Sequence, residues 1–213
     1  MTRRKDSSNT RDALIEAGLY LFGTKGFEAT STRAIAERAG ANVASIAYYF
    51  GSKAGLRRAC SEAIATRIGS VIAPFDAAPV PDTPEAARAE MRAALRAFVG
   101  FIAGTPAAKN IVTFILRALS EQDDTADFFF ERIFLPRHQR YCALWSIATG
   151  QPADADEVKL TVFALIGQVI YFRLAEPIVT QRMGWSAFGR DEVGALTDTL
   201  LENLDACLER SRK

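Results

Sequence analysis

The sequence predicts an all-α protein of about nine helices, divided between a short N-terminal three-helix unit and a larger helical body. Apolar residues recur at intervals of three or four through most of the chain, as expected for helices with one buried face. No stretch alternates with period two for long enough to form a sheet. Hydrophobic residues make up 49% of the 213 residues, enough for a sizeable core.

The N-terminal third divides into four predicted helices. Leu14, Leu21 and Phe22 share one face of the first helix, which a left-handed glycine cap can end. The breaks and caps are Gly26, Thr30 or Ser31, Gly40, Asn42 and the pair Gly51-Ser52. The predicted helices cover residues 11–24, about 31–39, 42–50 and about 53–73.

Five further helices are predicted in the body, with prolines and glycines between them. Pro74 and the segment 78–84 predict a loop, and Pro136 and Pro177 are expected to kink or end helices. The five cover about 84–103, 106–121, 125–149, 155–181 and 190–210.

Charge is unevenly distributed although the net charge is only +1. Residues 1–60 contain ten Lys/Arg and five Asp/Glu, whereas the other 153 residues contain sixteen and twenty. A basic N-terminal segment on a mildly acidic body indicates an anionic partner for that segment.

Several other classes of protein are disfavoured. Cys60, Cys142 and Cys207 form no CxxC pair, so the sequence predicts reduced cysteines, no zinc site and no cofactor. The polar N-terminus MTRRKDSSNTRD is not a secretory signal. The apolar run 160–172 is too short for a bilayer. We therefore expect a cytoplasmic protein without a membrane partner.

The segment 31–53, STRAIAERAGANVASIAYYFGSK, has the pattern of a helix-turn-helix. Two short helices lie on either side of Gly40, and the second has a size that fits the major groove of B-DNA. Small residues at its N-terminal end allow a close approach to base edges. These candidate base-contacting residues are Asn42, Val43, Ala44 and Ser45.

Residues suited to phosphate contacts surround this helix. Tyr48 and Tyr49 follow one turn later, and Thr32 and Arg33 stand where free backbone N–H groups favour an anion. Lys53 adds a positive charge at the start of the fourth helix. Any one of them could equally be a solvated or packing residue, and it is their combination that favours DNA binding.

The segment from Arg11 to Leu56 resembles the DNA-binding domain of the TetR family of transcriptional regulators. The matching features are the A…LF…GF of the first helix, the T…IA..AG of the second and the YYF.SK..L that follows. The remainder more loosely resembles the CerR-like branch, through 114–136, 148–150 and 164–185. The resemblance implies a DNA-binding domain over 1–55 and a ligand-binding and dimerisation domain over 56–213.

The resemblance also implies residue roles. Thr32, Arg33, Tyr48, Tyr49 and Lys53 occupy positions that commonly contact phosphates, and 43–45 occupy positions that contact bases. The family usually has Tyr after the Leu/Ile of the third helix, whereas this chain has Ala47 after Ile46. Either Tyr48 or Tyr49 supplies that phosphate contact, or the protein does without it.

Aromatic residues concentrate in the body. They fit either an ordinary core or an apolar pocket between helices, and the resemblance implies a small-molecule effector in such a pocket. The lone His138 is more typical of a structural residue. The candidate ligand-binding residues are Phe98, Phe101, Phe114, Arg117, Phe134, His138, Tyr141, Gln168 and Tyr171.

The last two long helices have apolar residues over a wide area, which fits either the core of one subunit or a homodimer interface. The resemblance favours the dimer, whose two heads would read a palindromic operator at half-sites about 34–36 Å apart. The candidate interface residues are Phe163, Gly167, Ile170, Leu196, Leu200 and Leu204.

The sequence therefore predicts a DNA-binding regulator, a repressor that a small apolar effector releases from its operator. An all-helical partner-binding scaffold without a DNA role is the alternative. An enzyme is the least favoured class, because GxxxxGK[ST], GxGxxG after a strand and HExxH are all absent. Cys142 and His138 could meet on one helix, but no third catalytic group accompanies them.

Overall fold

The computed structural model describes residues 2–76 and 78–211, with side chains described from Asn9 onwards. The basic side chains of residues 3–5, the first residue of the predicted 1–55 domain and the last residue of the predicted 56–213 domain lie outside this described part. Within it the protein is helical and has no strand, which confirms the all-α prediction.

Eleven α-helices form the described part. They are α1 (Thr2–Lys25), α2 (Thr32–Ala39), α3 (Ala44–Phe50), α4 (Lys53–Asp76), α5 (Pro84–Ile102), α6 (Ala108–Glu121), α7 (Asp124–Phe129), α8 (Leu135–Thr149), α9 (Asp156–Leu174), α10 (Glu176–Met183) and α11 (Arg190–Arg210). A π-helical turn, Phe130–Phe134, joins α7 to α8 without a break.

Prolines explain where these helices differ from the predicted ones. The predicted helix 155–181 divides at Ala175, and Pro177, which has no backbone N–H, lies in the first turn of α10. Pro136 lies in the first turn of α8, directly after the π-helical turn. By contrast, α4 continues through Pro74 to Asp76, three residues beyond the predicted end.

The chain forms two compact units. Unit 1 comprises Met1–Ile68 and Asn110–Arg132, and unit 2 comprises Gly69–Lys109 and Ile133–Lys213. Most of α6 therefore belongs with the N-terminal helices, which local sequence spacing did not predict. The boundary at residue 55 between DNA-binding and ligand-binding functions stays a prediction.

In unit 1, α1 packs closely against α6. A Cβ added to Gly23 would lie 3.1 Å from the backbone nitrogen of Phe114, so a glycine permits the approach. The Phe114 ring is 1% exposed. It packs edge-on against Phe22 and Phe129, with ring centroids 6.3 and 6.0 Å apart.

In unit 2, α5, α8, α9 and α11 enclose a core around Trp145, which is fully buried. The Trp145 indole N–H donates to the side-chain oxygen of Gln151 at 3.2 Å. Met91, Val158 and Leu204 pack into the same core from the other three helices. No single described helix is long and apolar enough to cross a bilayer; α9 and α10, bent by 75° relative to each other, pass that test only as a pair.

Candidate nucleic-acid interface and body pocket

Hydrogen bonds at both ends fix α2. The Ser31 hydroxyl accepts the N–H of Ala34 at 3.1 Å, so Ser31 is the N-cap. Thr30, the other predicted cap, is buried and donates to the carbonyl of Gly26 at 2.6 Å. Gly40 ends the helix at φ 62°, a left-handed conformation that favours glycine. Arg33 is exposed and Thr32 half-buried in the first turn.

The outer face of α3 is open. Ile46 is the buried residue of this helix, 2% exposed. The N-cap is Val43 and not the predicted Asn42, whose side-chain oxygen accepts the N–H of Ala44 at 2.9 Å just before the helix. Asn42, Val43 and Ala44 are exposed, and Ser45 is half-buried. The predicted base-contacting residues thus form one surface at the N-terminal end of α3.

The two tyrosines of α3 differ in exposure. Tyr48 is 81% exposed, the highest value among the large apolar side chains that are exposed. Tyr49 is half-buried, and its ring packs edge-on against Tyr48 with centroids 4.9 Å apart. Tyr48 is therefore the side chain with most freedom to reach a phosphate or sugar.

The turn from α3 into α4 is tight. Gly51 has φ 75° and Ser52 accepts the N–H of Gly55 at 3.0 Å, which caps α4. A Cβ at Gly55 would overlap the carbonyl oxygen of Phe50. The sequence FGSKAG therefore sets where α4 starts relative to α3.

Lys53 is held within unit 1. Its ammonium donates to the backbone carbonyls of Phe27 at 2.9 Å and Thr30 at 3.1 Å. It also lies 4.2 Å from the centroid of the Phe27 ring. Two of its three N–H groups thus stabilise the turn between α1 and α2, a role that the sequence analysis missed.

Arg57, one turn later on α4, is a second fixed cation. It is 7% exposed and donates to Glu121 at 2.7 Å and to Asp123. The backbone N–H of Phe27 donates to Glu121 as well, at 3.3 Å. Arg57 therefore connects α4 to the end of α6 and to the α1–α2 turn.

The predicted ligand-binding residues are divided between the two units. Phe114 belongs to the core of unit 1, and Arg117 is exposed there with a guanidinium N–H 3.4 Å from the carbonyl of Thr24. Gln168 accepts from Asn203 at 3.2 Å, and Tyr171 is 55% exposed. Phe98, Phe101 and Phe134 are half-buried in the second unit.

His138 has structural contacts, as its isolation in the sequence suggested. Its ring stacks on Phe163 with centroids 4.0 Å apart, and its Nε2 lies 3.1 Å from the carbonyl of Lys159. Its Nδ1 lies 3.7 Å from the sulfur of Cys142. Burial raises the pKa of the Cys142 thiol, which disfavours its reactive thiolate form.

A pocket in unit 2 contains only Tyr141 of the predicted ligand-binding residues. Ile72 and Phe75 form its apolar wall. The space between the lining side chains, open solvent included, is about 240 Å³. Burial, and secondarily the charge of Asp76, raises the pKa of Tyr141 to about 12, so its hydroxyl stays protonated.

Two arginine–carboxylate pairs complete the pocket. Arg140 donates to Glu90 at 2.6 and 2.9 Å and to the carbonyl of Ala78 at 3.1 Å. Arg137 donates to Asp76 at 3.3 Å, and burial lowers the pKa of Arg137. The sequence analysis did not identify these four charged residues. A signal was present, because Arg137 and Arg140 are three residues apart on α8 and share a helix face.

Two family models match the chain. Residues 14–60 match the family described as bacterial regulatory proteins, tetR family. Residues 87–210 match the C-terminal domain of the HTH-type transcriptional dual regulator CecR. The HTH-type transcriptional dual regulator CecR of Shigella flexneri is 33% identical over 203 residues, which cover 92% of this chain and 90% of that protein.

The chain belongs to the TetR family. The sequence analysis likened the C-terminal part of the chain to a CerR-like branch of the family. In the comparison this part matches the C-terminal domain of CecR. The protein is a TetR-family DNA-binding transcriptional regulator and not an enzyme, as the sequence predicted, and the scaffold alternative gains no support.

Solved structures confirm the TetR-like fold. A TetR-like regulator from Rhodococcus sp. RHA1 superposes with a TM-score of 0.63 at 21% identity, covering 92% of this chain and 96% of that one. AibR, whose structure was solved in complex with isovaleryl coenzyme A and operator DNA, also superposes with a TM-score of 0.63. The identity is 16%, and the match covers 90% of this chain and 96% of that one.

The predicted dimer interface of this TetR-family protein needs a correction. Leu196, Leu200 and Leu204 are 5, 2 and 2% exposed. They fill the core of their own subunit, because the i, i+4 face of α11 points inward. Phe163 and Gly167 of α9 are exposed and Ile170 is half-buried. Only the α9 part of the prediction remains available to a partner.

Proposed function

We propose that this TetR-family regulator is a cytoplasmic repressor that binds a palindromic operator as a homodimer and leaves it when a small apolar effector binds the body. The observation that carries the DNA part is the open outer face of α3, with Tyr48 81% exposed. Small side chains at its start leave room for the edges of bases.

The residue roles follow from exposure and position. Asn42, Val43, Ala44 and Ser45 are assigned to base edges, with the Asn42 side-chain oxygen already accepting the N–H of Ala44. Thr32 and Arg33 are assigned to a phosphate at the N-terminus of α2. Tyr48 and Tyr49 are assigned to the sugar–phosphate backbone, where Tyr48 takes over the role that Ala47 is too short to fill. Lys53 acts mainly by holding the α1–α2 turn.

A titration of a palindromic duplex at several salt concentrations tests DNA binding. If each head neutralises about four phosphates, the log–log salt slope of the dimer should be roughly −7. Tyr48→Phe removes one hydroxyl and should weaken binding by about fivefold, whereas Tyr48→Ala should weaken it further. Neither should change the unfolding midpoint. A flat salt slope, or an unchanged Kd in Tyr48→Ala, contradicts the proposal.

An apolar stripe along α9 and α10 supports the homodimer. Its side chains recur at intervals of three, four or eight, which places them on one helix face through α9. Leu160, Phe163, Tyr171, Leu174 and Ile178 are 68, 54, 55, 51 and 67% exposed. An apolar surface of this kind marks a protein interface, and a twofold partner supplies the second head that a palindrome requires.

Sedimentation velocity tests the assembly. Phe163→Asp should convert the dimer to monomer and abolish operator binding with little loss of helicity. Val80→Asp is the control, because Val80 is also exposed, at 55%, but lies in the loop before α5. A Phe163→Asp protein that remains dimeric argues against this interface.

Release by an effector is a linkage effect. A 100-fold preference of the effector for the non-binding state supplies about 2.7 kcal/mol per site. Operator DNA must weaken effector binding by the same factor. Isothermal titration of an effector with and without duplex measures both sides of this relation.

A further inference from the structure

The Arg137–Asp76 pair is the more exposed of the two ion pairs in the pocket of unit 2. The Arg137 side chain is 18% exposed, whereas its partner Asp76 is 44% exposed. A guanidinium N–H of Arg137 also donates to the carbonyl of Ile133 at 2.8 Å, which fixes the guanidinium on α8. The cation is therefore the less exposed, fixed member of the pair, and the carboxylate is the more solvated member.

The neighbouring pair behaves differently. Arg140 and Glu90 are 16 and 14% exposed, and one carboxylate oxygen accepts two N–H groups at 2.6 and 2.9 Å. Separating this pair would leave two desolvated charges, which costs several kcal/mol. A ligand that enters the pocket has no route to Arg140 at a comparable cost.

Apolar groups lie beside Arg137. Ile72 and Phe75, both on α4, line the pocket together with the desolvated ring of Tyr141. The existing space is small, so a ligand must displace a side chain in order to enter. Asp76 is the charged lining group with the longest ion-pair distance, 3.3 Å, and the most solvent-exposed of the four.

From these contacts we propose that the effector of this pocket is an apolar molecule carrying a carboxylate or a similar small anion. Its anionic group replaces the Asp76 carboxylate on Arg137, and its apolar part packs on Ile72, Phe75 and Tyr141. A cationic ligand is disfavoured because it would have to take Asp76 from a guanidinium that is held on α8 by the Ile133 carbonyl and would place a second positive charge beside it. This proposal rests on the proposed function, since it names the effector class.

The carboxylate that the ligand displaces belongs to Asp76, the last residue of α4. The same helix carries Lys53 and Arg57 at its other end. Arg140 also holds this segment through the carbonyl of Ala78. Exchange at Arg137 therefore removes a contact between α8 and the last residue of α4. A bound anion favours a state in which that end is free to move.

Matched probes test the ligand class on the full chain. Phenylacetate, phenethylamine and phenethyl alcohol share an apolar ring and differ in charge, and their binding is measured by thermal shift and by isothermal titration. The acid should raise Tm, and the amine and alcohol should bind at least about tenfold more weakly. Equal or tighter binding of the amine, or no binding of the acid, overturns the proposal.

Two variants locate the site. Arg137→Gln should weaken binding of the acid by about tenfold or more, whereas Arg137→Lys, which keeps the charge, should retain most of it and guards against loss of folding. Asp76→Asn should tighten binding by about two- to fivefold, because the competing carboxylate is gone. A purely structural Asp76 would give no such gain.

Asp82→Asn is the control, since Asp82 is an exposed acid in the loop after α4. Unchanged or weaker binding in Asp76→Asn contradicts the exchange at Arg137. Operator binding by the unliganded protein is measured separately. Retained DNA binding together with failed acid binding overturns the ligand class alone, and the regulator proposal stands.

Discussion

The two ends of α4 are held by different kinds of ion pair. Near the start, Arg57 is 7% exposed and donates to two carboxylates, Glu121 and Asp123. At the end, Asp76 is 44% exposed and accepts one bond of 3.3 Å from Arg137. The two pairs differ in the cation and in the number of partners. The Arg57 side chain is 9% exposed and has two carboxylate partners that are 27 and 36% exposed, whereas the Arg137 side chain is 18% exposed and the Asp76 carboxylate 44%.

This difference indicates which end of α4 is built to move. A buried cation with two partners costs several kcal/mol to separate, whereas a half-solvated pair costs about 1 kcal/mol or less. The start of α4 also carries Lys53, which holds the α1–α2 turn. These contacts join the helix-turn-helix to the start of α4, and under the proposed mechanism the ligand acts on the other end.

The largest expected effect is at Arg57. Arg57→Ala removes a buried charge from two carboxylates and should lower the free energy of unfolding by about 3 kcal/mol. Arg58→Ala, its neighbour with a side chain 81% exposed, should change it by less than about 0.5 kcal/mol. Urea unfolding followed by circular dichroism measures both. Equal effects of the two changes would remove the distinction between the ends of α4.

A smaller effect is expected at Asp76. Asp76→Asn should lower the free energy of unfolding by less than about 1 kcal/mol, because the carboxylate is already half-solvated. The same urea experiment applies, with Asp82→Asn as the matched control. A loss as large as that in Arg57→Ala would mean that the C-terminal end of α4 is fixed as firmly as the start.

The smallest expected effect is at Gly69, which lies between the two ends and where an added Cβ would meet no atom within 4 Å. Gly69→Ala should raise the free energy of unfolding by about 0.5 kcal/mol, through helix propensity alone. If bending near Gly69 carries the response, this variant should bind DNA normally and release it less readily with effector. A destabilised Gly69→Ala protein would indicate that this glycine is needed for packing.

The sequence predicted the helix-turn-helix well because its determinants are local. Gly40, Asn42 and Ile46 act within one or two turns, so spacing alone placed the exposed face of α3. Lys53 shows the limit: its carbonyl partners are 26 and 23 residues away, and sequence spacing assigned it to phosphate instead of to the turn.

The body was harder to predict because its contacts are tertiary. Arg137 and Asp76 are 61 residues apart in the sequence, and Arg140 and Glu90 are 50 apart. Aromatic composition predicted that rings would be plentiful but not which would be buried. Phe114 is 1% exposed in the core of unit 1, whereas Phe163 is 54% exposed on α9.

The central claim is that paired α3 helices read adjacent major grooves. Its most direct test is the selection of bound sequences from a random duplex library. Wild-type protein should enrich a palindrome with half-sites about 10 base pairs apart between centres, and Tyr48→Ala should lose that enrichment. No enrichment by the folded wild-type protein, or a single unpaired half-site recovered equally by both proteins, would contradict the account.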